Sequence, residues 1–342
     1  MKYILLFFTL SFTCCTTSNF FNSKNIIIDK FPKDTTLFGE KINIESIGTN
    51  YLIIIDTLLI CFKAQGVDNY FDIYSTNTLN KLGACLTTGR GPNEFLSIQY
   101  NGQYFNDSLG FRMWLKDDAN LRISLFNLTE SIKQEKTIID SCIYLDRVQE
   151  GYGFLINDTL INIDPYPENV FFKTYELSTD KLLEPIKMFK NPYPNHSYQD
   201  QIFAMTTTLR PNNKRFASSM IFFNQINIYS SNFKYRKSLS IYTPTPSIKQ
   251  VLNTPREERI VYYSLVGSTM KYIYALYINQ PNSSWDTPRK IEIHIFDWDG
   301  IPIQKLIIPQ NIIYFTIDEK HKQLLGITSD EEIYKYDISM CI

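Results

Sequence analysis

The chain has 342 residues, 44% of them hydrophobic, and its 34 Lys and Arg residues nearly balance its 35 Asp and Glu residues, leaving a formal net charge of −1. A globular chain of this length buries about 75% of its unfolded surface, so it needs neither disulfides nor a metal ion to hold a core. The balanced charge argues against nucleic-acid binding, because phosphates are normally met by an excess of Lys and Arg. Aromatic residues make up 15% of the chain, which suits a β protein because Tyr and Phe pack well on pleated sheets.

The N-terminus has the features of a secretory signal peptide. A basic start, Met1-Lys2, precedes an apolar run over residues 3–12, and the small polar segment TCCTT follows at residues 13–17. A short apolar run between a basic start and a small-residue boundary is typical of an export signal. The run is too short to cross a bilayer as an ordinary transmembrane helix.

A cysteine directly after the apolar run resembles a bacterial lipoprotein signal, in which that cysteine is lipidated and becomes the first residue. We therefore expect residues 1–14 to form a lipoprotein signal peptide with lipidation at Cys14, and residues 15–24 to form a tether. Two alternatives stay open. Cys15 could be the lipidated residue, or the signal could be cleaved in the ordinary way without a lipid.

One hairpin pattern recurs six times after residue 25: an apolar strand, an aromatic residue, a polar turn and a second strand. The clearest copy, IHIFDWDGIPIQKLII, surrounds Phe296. The anchors are roughly 40 to 67 residues apart, the spacing expected of propeller blades. The other five copies surround Tyr74, Phe126, Tyr175, Tyr229 and Tyr336.

A further pair of strand-like segments lies upstream of each hairpin, and the pair at residues 99–115 is the least clear. The sequence therefore predicts an all-β fold, a six-bladed β-propeller over residues 25–342. The sixth blade lacks its outermost strand, and an open blade edge would expose unpaired backbone groups. We expect residues 25–28 or 42–44 to pair with residues 333–337 and so close the ring.

The segment TGRGPNEF at residues 88–95 resembles the TolB-like six-bladed propeller lipoproteins of anaerobic Gram-negative bacteria. The segments FDWDG at 296–300 and FTIDE at 315–319 resemble the junction between that family's fifth and sixth blades. The resemblance covers nearly the whole mature chain. It implies the fold, a lipid anchor and an envelope location, but no catalytic residues.

The residues of the first segment also indicate a tight connection between two blades. Gly89 and Gly91 allow backbone angles closed to other residues, and Pro92 fixes the next turn. With Phe95, these residues are interpreted as a structural turn motif. Arg90 and Glu94 are different, because a turn does not require their charges. They could pair with each other or with a neighbouring blade, or they could contact a ligand.

Long connections on one face of a propeller usually mark its binding face. The longest insertions, at residues 192–199, 243–258 and 280–289, fall on connections that open on the same face as the turn motif. Aromatic side chains offer stacking surfaces, and Arg offers planar donors. The alternative is that these loops are merely solvated. The candidate ligand-binding residues are Arg90, Glu94, Tyr193, His196, Tyr198, Arg256, Arg259 and Trp285.

Catalysis finds little support in the sequence. His196, His294 and His321 lie far apart without metal-ligand spacing, and no nucleophile elbow is present. We expect no catalytic residue, no metal ion and no cofactor. Asp299-Gly300 is interpreted as a hairpin turn and not as part of a calcium loop. Glu94 with His196 is the only pair that suggests acid–base chemistry.

Four cysteines lie beyond the N-terminal segment: Cys61, Cys85, Cys142 and Cys341. They fall in apolar strand-like runs without close pairing, which favours buried free thiols. An exported protein could also form a disulfide from them, and spacing alone cannot choose the partners.

Together these features predict an envelope-anchored binding or scaffolding lipoprotein. Its expected partner is an envelope protein or a glycan, engaged through the loop-rich face. We expect a monomer tethered to a membrane, the outer membrane being favoured, and facing the periplasm because no acidic cluster follows Cys14. The alternative is a propeller hydrolase or lyase acting on a sugar or peptidic substrate in the central channel. Asp-Thr and Asp-Ser turns such as Asp56-Thr57 and Asp107-Ser108 also resemble O-glycosylation acceptors, or are ordinary turns.

Overall fold

The computed structural model describes residues 23–45, 47–63, 68–145, 153–163, 172–179, 181–184, 201–284 and 290–341. Six small sheets surround a central channel and form a six-bladed β-propeller. The predicted fold class is therefore confirmed.

Blades 1 to 5 each contain four consecutive antiparallel strands, blade 6 contains three and takes its fourth from the N-terminal segment, and the first strand of each blade is innermost. Blade 1 contains β4 (Thr49–Ile55), β5 (Leu58–Lys63), β6 (Asn69–Ser75) and β7 (Lys81–Thr87). Blade 2 contains β8 (Ile98–Asp107), β9 (Gly110–Asp117), β10 (Arg122–Asn127) and β11 (Ile139–Tyr144). Blade 3 contains β12 (Gly153–Ile156), β13 (Thr159–Ile163), β14 (Phe172–Glu176) and β15 (Lys181–Leu182).

The second half of the ring follows the same order. Blade 4 contains β16 (Met205–Leu209), β17 (Arg215–Met220), β18 (Ile226–Ser230) and β19 (Arg236–Ile241). Blade 5 contains β20 (Ile260–Ser268), β21 (Tyr272–Pro281), β22 (Ile291–Asp297) and β23 (Pro302–Ile308). Blade 6 contains β24 (Ile312–Asp318), β25 (Gln323–Thr328) and β26 (Ile333–Asp337).

The aromatic anchors of the sequence repeat occupy equivalent places. Each lies on the third strand of its blade, and each is buried between neighbouring blades. A large ring at this position removes apolar surface from water on a strand that is already paired on both sides. The repeat was therefore correctly predicted from its anchors, which are Tyr74, Phe126, Tyr175, Tyr229, Phe296 and Tyr336.

Blade 2 differs from its predicted hairpin, because a helix interrupts it. Residues 123–138 were expected to form two strands and a polar turn, but α1 (Leu128–Gln134) stands between β10 and β11. Asn127 caps the helix by accepting a hydrogen bond from the Glu130 amide at 3.0 Å. An Asn N-cap with an acidic residue in the first turn favours a helix start. These local signals prevailed over the strand repeat. A second helix, α2 (Ile248–Asn253), lies between blades 4 and 5.

The N-terminal residues 24–42 form three strands on the outer rim, which we call the N-terminal belt. β1 (Lys24–Ile28) pairs in parallel with β19, and β2 (Asp34–Thr36) pairs in parallel with β23. β3 (Glu40–Ile42) pairs antiparallel with β26, with Ile42 opposite Ile333. The predicted closure of the ring is confirmed, but through residues 40–42, which share only Ile42 with the second of the two proposed segments. Residues 25–28 instead extend blade 4, and the sequence did not reveal that addition.

All four cysteines in the described part of the chain are free thiols. Cys61, Cys85 and Cys341 are buried, and Cys142 is half-buried. Burial, with a smaller effect from Asp72, raises the pKa of the Cys85 thiol to about 12. The preference for free thiols over disulfides is therefore confirmed.

Candidate functional site: the central channel and the loop face

A channel with a volume of about 1420 Å³ passes through the middle of the ring. The turn motif and α2 lie on one side, the loop face, defined by residues 88–97 and 242–259. The opposite side is the turn face, defined by the hairpins at residues 56–57, 107–110 and 318–322. Ser97 and Asn282 line the channel at its loop-face end, and Asp56 and Lys320 line it at its turn-face end.

One wall of the channel carries aliphatic hydroxyl groups from blades 4 and 5. The Thr206 and Thr207 hydroxyls lie 2.9 Å from serine hydroxyls of β17, and the Thr208 hydroxyl lies 2.9 Å from that of Ser268. The Ser264 hydroxyl is buried and has no hydrogen-bond partner in the described part of the protein. This surface, the hydroxyl wall, is polar but carries no charge.

The opposite wall is formed by β4, β8 and β24 and carries four tyrosines: Tyr51, Tyr100, Tyr104 and Tyr314. The Tyr51 and Tyr314 rings meet edge to face, with centroids 4.9 Å apart. Burial raises the pKa of the Tyr100 hydroxyl well above its usual range, and neighbouring Tyr104 and Tyr314 raise it further. The phenol of Tyr100 therefore stays neutral at physiological pH. We call this surface the tyrosine wall.

Among the described lining residues, the charged ones lie at the turn-face mouth. Lys320 pairs with Asp56 at 2.7 Å, and the buried Asp318 contacts the His321 ring at 2.7 Å. Burial raises the pKa of Tyr104, and nearby Glu319 and Asp56 raise it further. The tyrosine wall therefore ends beside this charged mouth.

Blade 3 contributes none of the described residues that line the channel. Its inner strand is instead joined to blade 2 by a side chain. The buried Gln103 amide nitrogen donates to the Leu155 carbonyl at 2.6 Å, and the Gln103 side-chain oxygen accepts from the Leu155 amide at 2.7 Å. One side chain thus makes the two hydrogen bonds that a neighbouring strand would make.

The model of the TolB-like 6-blade propeller-like family matches residues 51–320, which is most of the chain. The chain belongs to this TolB-like family. No curated protein matches it.

Solved structures share the TolB-like chain's fold at low sequence identity. A DUF4221 family member from Bacteroides vulgatus is 12% identical, with a TM-score of 0.51 over 90% of this chain and 93% of that one. A Bacteroides fragilis protein described as a candidate exported protein is 14% identical, with a TM-score of 0.51 over 91% and 99%. The propeller domain of Cps50 (Swd1) from Myceliophteria thermophila is 10% identical, with a TM-score of 0.53 over 88% and 100%. Likenesses at these identities show the fold alone.

The turn motif of the TolB-like chain connects blade 1 to blade 2. The Glu94 carboxylate accepts from the Gly91 amide at 2.8 Å, and a side chain at Gly89 would overlap that carboxylate. Phe95 is fully buried in the core between the two blades. Glu94 therefore holds the turn together. Glu94 forms no ion pair with Arg90 in the described part of the chain, and Arg90 is exposed to solvent.

Blade 2 holds this motif through two buried charged side chains. Arg122 donates to the carbonyls of Pro92 (2.6 Å) and Glu94, and its guanidinium lies 4.6 Å from the Phe95 ring centroid. Asp117 accepts from the backbone amides of residues 96 and 97, both at 3.1 Å. We call Arg122 and Asp117 the blade 1–2 clasp. Neither residue was predicted from the sequence.

The remaining predicted loop residues occupy different positions. Arg256 is exposed in a short 3₁₀ helix after α2, whereas Arg259 is buried, with its Nε donating to the Val251 and Thr254 carbonyls at 3.0 Å. Arg259 therefore supports α2 and does not present its charge on the loop face. Five other predicted residues lie outside the described part of the chain: Cys14, Tyr193, His196, Tyr198 and Trp285.

The described residues contain no cluster of three or more His, Cys, Asp or Glu side chains able to hold a metal ion. They also contain no helix with the length and apolar character needed to cross a bilayer. His294 is fully buried between blades 4 and 5, as expected for a packed strand residue. Of the Asp-Ser and Asp-Thr turns, Asp107-Ser108 is exposed on the turn face.

Neither channel wall was predicted from the sequence, because the candidate binding residues were chosen from the loops. A signal was present, since the run Thr206-Thr207-Thr208 and the pair Tyr100 and Tyr104 both fall on predicted inner strands. Polar and aromatic residues on the innermost strand of a propeller face the channel. That position could have identified them.

Proposed function

We propose that this TolB-like propeller is an envelope-anchored binding protein, and that its ligand enters the channel from the loop face. The observation that carries the proposal is the channel itself, with about 1420 Å³ of volume and two differentiated walls on a rigid ring. Ligand sites are typically concave, with aromatic surface and a few placed polar groups. The partner class remains an envelope protein or a glycan.

The export-signal features of the first 17 residues support the envelope location, and a Bacteroides fragilis neighbour is described as a candidate exported protein. The direction of the belt adds an orientation. β1 runs parallel to β19, which starts at a turn-face hairpin and ends at the loop face. A tether from Cys14 would therefore enter from the turn-face side. Its ten residues reach at most about 36 Å, so the loop face would point away from the membrane.

A hydrolase or lyase is the second candidate, and the turn-face mouth is the observation that favours it. Asp56, Asp318 and Glu319 all line that mouth. However, Asp56 is paired with Lys320 and Asp318 contacts His321, so Glu319 is the one of these three acids without an ion pair in the described residues. Acid–base cleavage of a glycosidic bond normally uses two carboxyl groups. Binding is therefore the better-supported function.

The first test of the proposal is the anchor. Cells expressing the full chain are labelled with palmitate, and the Cys14→Ala variant is compared with Cys15→Ala. We expect label in the wild type and in Cys15→Ala, and its loss in Cys14→Ala together with release from the membrane fraction. An unlabelled wild-type protein that fractionates as soluble would contradict the anchored form.

The second test is capture of the partner. The anchored protein is crosslinked in its native membrane and recovered through a tag, beside a variant carrying Arg90→Ala, Tyr198→Ala and Trp285→Ala. A single partner, protein or glycan, that is lost in the triple variant supports loop-face binding. A partner kept undiminished by the triple variant would move binding away from this face.

A further inference from the structure

We propose that the channel ligand is a neutral carbohydrate of several sugar units, lying along the channel between the tyrosine wall and the hydroxyl wall. This inference rests on the proposed function and names the ligand class for the same site. Three properties of the walls support it: their lack of charge, their unmet hydrogen-bonding groups and their aromatic rings.

The charge distribution excludes strongly ionic ligands from the body of the channel. All described lining residues between Ser97 at one end and Asp56 at the other are neutral, and the charged ones are confined to the turn-face mouth. A phosphate or carboxylate in the middle of the channel would lose water without gaining a cationic partner, which is costly. The acidic side chains at the turn-face mouth would also repel an anion that reached that end of the channel.

The hydrogen-bonding groups suit a ligand whose every polar group both donates and accepts. The Ser264 hydroxyl on one wall and the side-chain oxygen of Gln99 on the other lie behind the channel surface without a hydrogen-bond partner in the described residues, so a rotation of either side chain would offer its oxygen to a ligand. Buried polar groups are normally paired, so unpaired groups beside a cavity favour a polar ligand that can reach them. The inner strands are also edge strands of their sheets, and they turn backbone donors and acceptors toward the channel. Sugar hydroxyls can satisfy all of these groups.

The aromatic rings provide the apolar part of recognition. Tyr51 and Tyr104 line the channel and are 42% and 43% exposed, and Tyr100 lines it beside them. A sugar ring has apolar C–H faces and a polar rim, so it matches an amphipathic aromatic side chain. The volume of about 1420 Å³ exceeds the roughly 300–1,000 Å³ of common small-ligand pockets, so the channel has room for more than one ring. An extended peptide could pair with an inner-strand edge, and the experiment includes peptides for that reason.

The test uses the full chain purified in detergent and an array of neutral glycans, acidic glycans and extended peptides. The strongest neutral glycan is then titrated by calorimetry into the wild type and three variants. Tyr104→Ala and Ser264→Ala alter the channel, whereas Tyr144→Ala removes a tyrosine that is 73% exposed on the rim of blade 2. Circular dichroism melting checks that each variant is folded.

We expect neutral glycans to be retained and acidic ones not. Tyr104→Ala should weaken binding about tenfold and Ser264→Ala about threefold to tenfold, with Tyr144→Ala unchanged. Retention of acidic glycans or peptides in preference, equal effects of Tyr104→Ala and Tyr144→Ala, or no retained neutral glycan would each overturn the inference. A loop-face protein partner found by crosslinking would leave the proposed function standing in all three cases.

Discussion

The two halves of the ring protect their outer edges by different means. The outermost strands of blades 4, 5 and 6 are all covered by the N-terminal belt, which adds one strand to each sheet. Blades 1, 2 and 3 receive no such strand in the described part of the chain. Their outer edges are shortened or covered locally. β15 has only two residues, and the Thr137 hydroxyl accepts from the Leu86 amide of β7 at 2.9 Å.

This difference shows where cohesion between blades originates. In the belted half, one continuous segment ties three blades together by backbone hydrogen bonds. In the unbelted half, individual side chains do so, namely the blade 1–2 clasp and Gln103 between blades 2 and 3. Loss of the belt should therefore destabilise three blades together, whereas loss of one side-chain contact should destabilise only the blade junction that it forms.

The largest expected effect is the loss of the belt. Deletion of residues 22–46, with the signal and tether kept, removes the strand partners of β19, β23 and β26 together. It also removes buried Ile28, Leu37 and Ile42. We expect insoluble protein, or a compact state without a cooperative unfolding transition. A soluble product that unfolds cooperatively in urea would mean that the ring closes without the belt.

The two connections between the belt strands each contain a phenylalanine, one buried and the other exposed. Phe31, between β1 and β2, is 8% exposed and lies 4.6 Å from the His294 ring by centroids. Phe38, between β2 and β3, is 82% exposed. Phe31→Ala should lower the free energy of unfolding by about 3 kcal/mol because it leaves a cavity, whereas Phe38→Ala should change it by less than about 0.5 kcal/mol. Urea unfolding measures both changes, and equal losses would show that the two connections contribute equally to the free energy of unfolding.

In the unbelted half, loss of the blade 1–2 clasp should lower the free energy of unfolding by a smaller amount. Arg122→Ala removes donors from two carbonyls of the turn motif and a contact with Phe95. The unfolding free energy should fall by about 2 kcal/mol, because buried acceptors lose their partners. Arg90→Ala, a matched change in the exposed arginine of the same loop, should leave stability within about 0.5 kcal/mol. An equal loss in both variants would show that exposed Arg90 stabilises the protein as much as buried Arg122 does.

Most of the fold could be predicted from the sequence repeat, because its aromatic anchors are local features. A buried aromatic such as Phe296 and a turn such as that at Asp299-Gly300 can be recognised from adjacent residues. In that turn, the Asp297 carboxylate accepts from the amides of Asp299 and Ile301 at 2.9 and 2.8 Å. Ring closure was also predictable, since the sixth blade lacked a strand and unclaimed apolar segments stood at the N-terminus.

What the sequence could not supply depends on contacts between distant residues. Nothing local to residues 24–28 indicates a parallel pairing with residues 237–241, more than 200 positions away. The structural roles of half-buried Glu94 and buried Arg259 were equally hidden, because charged residues in loops usually face solvent. Only the folded neighbours, Gly91 for Glu94 and α2 for Arg259, reveal that these charges serve the structure.

The smallest expected effect is a dependence of the belted half on pH. His294 lies between Phe31 of the belt and Tyr277, with ring centroids 4.6 and 4.5 Å away. Its Nε2 contacts the Glu292 carboxylate at 3.0 Å. Burial lowers the pKa of His294, and the Glu292 carboxylate opposes that change only in part.

The unfolded chain therefore binds a proton at His294 at a higher pH than the folded chain does. This contribution to stability is fully present above the unfolded pKa of about 6.5 and is lost as the pH falls through the lower folded pKa. Glu292 acts later in the same direction. Burial disfavours its charge, but His294 and neighbouring Lys305 still hold its pKa below the usual value, so its contribution is lost only in more acidic solution.

Hydrogen exchange at pH 7 and pH 5.5 separates the two halves of the ring. Because Phe31 packs on the His294 ring, acid should lower the protection factors of amides in β1 and β2, after correction for the slower intrinsic exchange at low pH, while β6 and β10 of the unbelted half keep theirs. His294→Gln should remove the change with pH in β1 and β2, since the amide does not titrate in this range. Acid that lowers protection equally in both halves, or a change that persists in His294→Gln, would show that the belt does not respond through this histidine.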